Sequence, residues 1–226
     1  MANLTARRLT LGDISDLRDY EHEREDLRAR VIDLKRRRRV TVGPFVTLVF
    51  ENIDTMRFQV QEMVRAERMI SDEQVQEEID TYNPLIPQPG ELSATLFVEL
   101  TSDGGLRQWL PKLVGIERSV VLRLGGGPPV AGTPATTTPT DAVGQSGGSQ
   151  ASPEVVRFVP DARHAASLTR EEVTAAVHYV KCWLTPEEVE AFAEGPASLA
   201  IEHPAYSETV ELEEPTRREL LFDLRG

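Results

Sequence analysis

Apolar positions change their spacing several times along the chain, and each change marks an element. From Asp13 to about Arg37 charged residues almost fill the sequence, leaving Ile14, Leu17, Leu27, Val31 and Leu34 as sparse apolar points. The spacing of Leu27, Val31 and Leu34 is helical, so this segment predicts one long helix with a narrow buried stripe and many acid–base neighbours one turn apart. Val40 to Phe50 is β-branched and aromatic, a strand that kinks or starts afresh at Gly43-Pro44 because proline cannot donate to a ladder. Asn52 or Asp54 then supplies the N-cap of a helix. On it Met56, Val60, Met63, Val64 and Ile70 recur at helical spacing and form a core-facing stripe. Gln59, Glu62 and Glu67 flank that stripe. Gln61, Arg65 and Arg68 fall on the outer side, where Arg65 has Gln61 and Glu62 within reach for a local network.

Ser71 followed by Gln74 reads as a capping box opening a second helix, with Val75, Ile79 and Tyr82 on one face and Asn83-Pro84 as its end. Leu92 to Leu100 is a strong strand. A short helix around Leu106 to Leu113 leads to another, Ser119 to Leu124. Strands resume at Val155 to Val159 and Ala175 to Leu184. In the latter, alternation sends His178, Val180, Cys182 and Leu184 to one face and Val177, Tyr179, Lys181 and Trp183 to the other. Pro186 starts a helix that Gly195-Pro196 stops, Leu199 to Ile201 and Thr209 to Leu212 are short strands, and Thr216 to Leu224 is a terminal helix. Between Gly125 and Ser152, Pro, Gly, Thr and Ser displace nearly every large apolar residue, too little to offset the entropy of ordering.

The fold class is therefore α+β, a mainly antiparallel sheet with flanking helices, a long N-terminal helix and a disordered Pro/Gly/Thr-rich insertion. We read residues 1–226 as one domain with a flexible insertion at about 125–152. Two domains joined by a linker is the alternative.

Composition narrows the chemistry. One cysteine, Cys182, excludes an intramolecular disulfide framework, a Cys-rich zinc site or a cysteine-held iron–sulfur cluster on this chain alone, and it fits a reducing cytoplasm. No stretch approaches about 18 uninterrupted apolar residues, so a membrane span is not expected. A net charge of −12 disfavours phosphate backbones and anionic lipid. The one basic run, Lys35 to Arg39, falls where helix C-termini favour cations, and no aromatics interleave it, so Arg38 and Arg39 are better candidates for an acidic partner than for nucleic acid. GGGPP at Gly125 to Pro129 lacks the lysine and hydroxyl of a phosphate loop. The four histidines are scattered, with no Glu-x-x-His pair, and no metal or cofactor is expected.

What remains is the strand-to-helix junction at Glu51 and Asn52, a place where functional side chains gather. Glu51, Asn52, Gln59, Glu62, Arg65, Tyr82, Asn83 and His178 are the further candidates. Brought together in one cleft, carboxylate, amide, guanidinium and imidazole groups could bind a small ligand or divalent metal, or serve an enzyme.

The segments RRRRVTVGPFVTLVFENIDTMRFQVQEMVRAERM, EEIDTYNPLIP, ELSATLFVEL and AAVHYVKCW together resemble an uncharacterised bacterial family catalogued as a domain of unknown function. Its members are often encoded beside rubrerythrin-like proteins and cysteine-rich iron–sulfur oxidoreductases. The resemblance implies a cytoplasmic, non-catalytic accessory protein that docks with such a redox or peroxide-defence partner, and it supplies no catalytic residues. The long insertion departs from the family pattern.

Overall fold

The computed structural model describes residues 7–125, 154–162 and 173–226. The insertion expected at Gly125 to Ser152 lies, but for Gly125 itself, outside them. The architecture is α+β. A helical layer is formed by α1 (Leu17–Arg37), α2 (Ile53–Ala66) and α3 (Asp72–Tyr82). Beneath it lies a sheet of β1 (Arg39–Val42), β2 (Val46–Phe50), β3 (Glu91–Val98), β6 (Val159–Pro160) and β7 (Val177–Trp183), in the order β1-β2-β3-β7-β6. A second sheet takes β4 (Val120–Leu124), β5 (Glu154–Arg157), β8 (Ala197–His203) and β9 (Tyr206–Glu211), in the order β5-β4-β8-β9. Every pairing is antiparallel. Three further α-helices are α4 (Asp103–Trp109), α5 (Pro186–Glu194) and α6 (Glu214–Arg225), and short 3-10 turns join several elements.

One buried cluster takes residues from both sheets: Leu48, Phe50 and Leu96 from the first meet Leu122, Leu199 and Ile201 from the second, with Phe192 of α5 and Leu220 of α6 joining it. A smaller cluster lies between the helical layer and the outer face of the first sheet, built on Met56, Val60, Val64 and Ile79 with Leu9, Leu85 and Ile86. The first sheet is thus covered on both faces, which is why its central strands β2 and β3 are almost wholly buried rather than alternating wet and dry.

Several local expectations need correction. Val40 to Phe50 is not one strand: Gly43 adopts φ 71° and turns the chain into a β1–β2 hairpin. A Cβ there would stand 2.5 Å from the Tyr206 hydroxyl, so both conformation and space call for glycine. Val155 to Val159 divides between sheets, β5 pairing with β4 and β6 with β7, while Phe158 between them is buried at 2% exposure. The long helix begins at Leu17 rather than Asp13, because Asp16 caps it by accepting from the amides of Arg18 and Asp19. Ile70 leaves the α2 stripe altogether: α2 ends at Ala66, Arg68 takes φ 53°, and Ile70 is 89% exposed while Met69 turns inward. On β7 the expected alternation is observed, with His178, Val180 and Cys182 buried.

Candidate functional site

The β2–α2 junction is built by two side chains with different duties. Asn52 caps α2: its Oδ1 accepts from the Thr55 amide at 3.0 Å, and its own amide donates to Thr55 Oγ1 at 2.9 Å. Glu51 points into the protein, 4% exposed, where its Oε1 accepts the Thr95 hydroxyl at 2.6 Å. The Glu51 amide donates to the Ser93 carbonyl at 2.8 Å, which sets these residues side by side across β2 and β3. Glu51 Oε2 and Ser93 Oγ are both buried and have no hydrogen-bond partner among the described residues. Two such atoms in one corner are a conspicuous exception to the pairing of buried polar groups. Tyr179 stands opposite Thr95 on β7, its hydroxyl pushed up to about 12 by burial, with the nearby Tyr82 and Glu51 acting in the same direction. Burial raises Tyr82 as well, against a hydrogen bond from Gln59 that lowers it. Gln59 of α2 and Tyr82 of α3 thus meet each other, while Glu51 is bonded to Thr95 on the sheet.

Arg38 is 1% exposed and anchors a second set of buried ions. Its Nε donates to the Phe50 carbonyl at 3.1 Å and its Nη2 to the Glu51 carbonyl at 3.4 Å, while Asp223 of α6 pairs with it directly and Glu219 lies 3.5 Å from Nη1. Burial lowers its pKa, and the carboxylates around it oppose that shift. Three of the five cations of the basic run are therefore engaged internally: Arg37 pairs with Asp33 and Glu219, Arg38 with Asp223, and Arg39 with Glu99. On the sheet face shared with Thr95 and Tyr179, Lys181 pairs with Glu91 at 2.7 Å and donates to the Pro84 carbonyl, both side chains being nearly buried.

The remaining candidates are placed elsewhere. Glu62 ties α2 to α1, accepting from the Tyr20 hydroxyl at 2.6 Å and from Arg24 at 2.8 and 2.9 Å, and that guanidinium, then the tyrosine, holds its carboxyl below the usual range. Arg65 pairs with Glu21 of α1 rather than with Gln61 or Glu62. Gln61 itself is buried, not outward, and clamps the Ser15 backbone through both ends of its amide. Asn83 does the same for Leu9, at 2.8 and 3.0 Å. His178 lies on the opposite face of the sheet from Glu51, because its register partner is Leu96 whereas Glu51 bonds to Thr95. Its Nε2 is 2.9 Å from both Thr174 Oγ1 and the Ala175 carbonyl, and burial lowers its pKa. The single cleft uniting Glu51, Arg65 and His178 is not formed.

Sequence reasoning missed Asp223, Glu91, Lys181, Thr95 and Ser93, which complete these networks. Lys181 carried a signal, a cation inside a strand on the face shared with Tyr179. Asp223 carried none, since its partner lies 185 positions away in sequence. Among the described residues no group of three or more His, Cys, Asp or Glu could hold a metal ion, and no helix is long and apolar enough to cross a membrane.

One surface feature differs in kind. Where the turn before α1 meets the α2–α3 connection, a mainly apolar groove of about 400 Å³ is lined by Leu11, Ile14, Leu17, Val75 and the exposed Ile70, with Asp16, Arg18 and Asp72 also in its walls.

The model of a family described as protein of unknown function, DUF3501, matches residues 8–159 and 152–224. The chain belongs to the DUF3501 family. Its architecture is shared by the crystal structure of a novel protein of unknown function from Burkholderia pseudomallei K96243, with a TM-score of 0.78 and 29% identity over 96% of this chain and 100% of that one. No curated protein matches.

Proposed function

We propose that this DUF3501 chain is a non-catalytic accessory protein that docks with an iron–sulfur or rubrerythrin-type redox protein through the groove around Ile70. The observation that carries the reading is the groove itself, a concave, mainly apolar surface with an isoleucine 89% exposed at its edge. A large apolar side chain held this far into water costs free energy that burial against a partner returns. The polar candidates lend support from the other side. Arg38, Asn52, Glu62, Arg65, Asn83 and His178 hold the fold together, each bonded within the chain. The class of partner, and with it a role in peroxide defence in the cytoplasm, follows from the family resemblance.

Ile70→Glu tests the surface. The site is exposed, so the substitution leaves stability within about 0.5 kcal/mol. Tagged wild-type and variant proteins are compared for capture of an iron–sulfur or rubrerythrin-like protein from the native host. Loss of capture with an unchanged melting temperature is expected. Equal capture by both proteins would remove the groove from the account.

A further inference from the structure

A second concavity, a cleft of about 450 Å³, opens where the chain before Thr10 runs beside the loop that follows α3, and Arg7, Arg8, Asp80, Asn83, Glu91 and Lys181 are among its walls. Its hydrogen-bonding groups are unevenly satisfied. The acceptors are engaged: Glu91 Oε1 takes Lys181 at 2.7 Å and Oε2 the Gln88 amide at 3.0 Å, while Asn83 Oδ1 takes the Leu9 amide at 2.8 Å. Gln88 Oε1 takes the Arg7 amide at 3.0 Å, and Asp80 Oδ1 takes Gln76 at 3.0 Å.

The cationic donors are in surplus. Lys181 has three N–H groups, of which Glu91 and the Pro84 carbonyl occupy two. Arg7 Nη1 donates to the Asp223 carbonyl at 3.3 Å and lies 3.9 Å from the Asp223 carboxylate, while its Nε and Nη2 have no acceptor among the described residues. Arg8 is exposed on the rim and has no hydrogen bond or ion pair among the described residues. Two adjacent guanidiniums and an ammonium around a concave wall, with the local carboxylate of Glu91 already filled, match an oxyanion: planar forks meet it in pairs and the ammonium supplies a point charge.

We infer that this cleft binds a small organic oxyanion, its carboxylate or phosphate held by Arg7, Arg8 and Lys181. The volume exceeds what a bare anion fills, leaving room for an organic body beside Asn83, Pro84 and Ile86. The inference is independent of the docking groove, which is lined by other residues.

The test uses the full chain with citrate and inorganic phosphate as probes, titrated calorimetrically at fixed ionic strength with chloride as the control. Arg8→Ala is the informative variant, because Lys181 also pairs with Glu91 in the fold whereas Arg8 holds nothing together. Saturable binding of at least one probe by the wild type is expected, weakened about 10- to 150-fold in Arg8→Ala with an unchanged melting temperature. Preference for phosphate or for citrate tells which oxyanion the cleft favours. Absence of saturable binding of both probes, equal affinity in the variant, or an equal response to chloride would each overturn it.

Discussion

Asp223→Ala removes one partner from the most deeply buried ion pair described in the molecule. Arg38 and Asp223 have side-chain exposures of 1% and 3%, so neither can turn to water when the other is lost. The guanidinium keeps two carbonyls, of Phe50 and Glu51, and the Glu219 carboxylate at 3.5 Å, itself 26% exposed. Those contacts soften the loss without replacing it. Stranding a buried charge costs about 3–5 kcal/mol. For a chain of this size that corresponds to a fall in melting temperature of about 6–20 °C. Urea unfolding monitored by circular dichroism measures it, with an unchanged m-value showing that stability rather than compactness has moved. The companion double variant, Arg38→Met with Asp223→Leu, discards both charges and restores apolar packing. It should cost clearly less than the sum of the two single changes. Strict additivity, or a loss below about 1 kcal/mol for Asp223→Ala, would refute the claim that this pair locks α6 to the β1–β2 hairpin.

The Glu62 carboxyl is held below its ordinary value of 4.5 by Arg24 and Tyr20, so its contribution is present above that value and is lost as pH falls through the depressed folded one. Glu62→Gln should flatten the acid limb of a stability-against-pH curve below about pH 4.5, and an unchanged limb would contradict the assignment. Cys182 is wholly buried and burial pushes its thiol up, so the native protein should resist thiol reagents and react once in denaturant; fast labelling of the folded chain would show otherwise. Gly43→Ala meets Tyr206 and forces alanine into the left-handed region, so a loss of about 1–3 kcal/mol is expected in the same urea assay, and a neutral outcome would refute the hairpin geometry.

The periodic elements were legible because local pattern determines them. Val75, Ile79 and Tyr82 as one face of α3 and the inward set His178, Val180 and Cys182 on β7 follow from spacing, while the sequence narrows the cap of α2 to Asn52 or Asp54 and the structure selects Asn52. What spacing cannot show is which face of the sheet a strand shares with a distant helix. Glu51 and His178 looked like partners until the register placed Thr95 opposite Tyr179 and Leu96 opposite His178, which puts them on opposite faces. The basic run was legible as a helix C-terminus, yet its buried member, Arg38, depends on α6 far along the chain. Ile70 was misassigned because Arg68 enters the left-handed region and ends the helical phase before the apolar pattern does.

The most direct measurement is native co-purification of the full chain from its host under anaerobic conditions, with partners identified by mass spectrometry and iron quantified in each fraction. The account predicts stoichiometric recovery of an iron–sulfur or rubrerythrin-like protein, with iron following that partner. Recovery of this chain alone, carrying stoichiometric iron and turning over peroxide unaided, would contradict it.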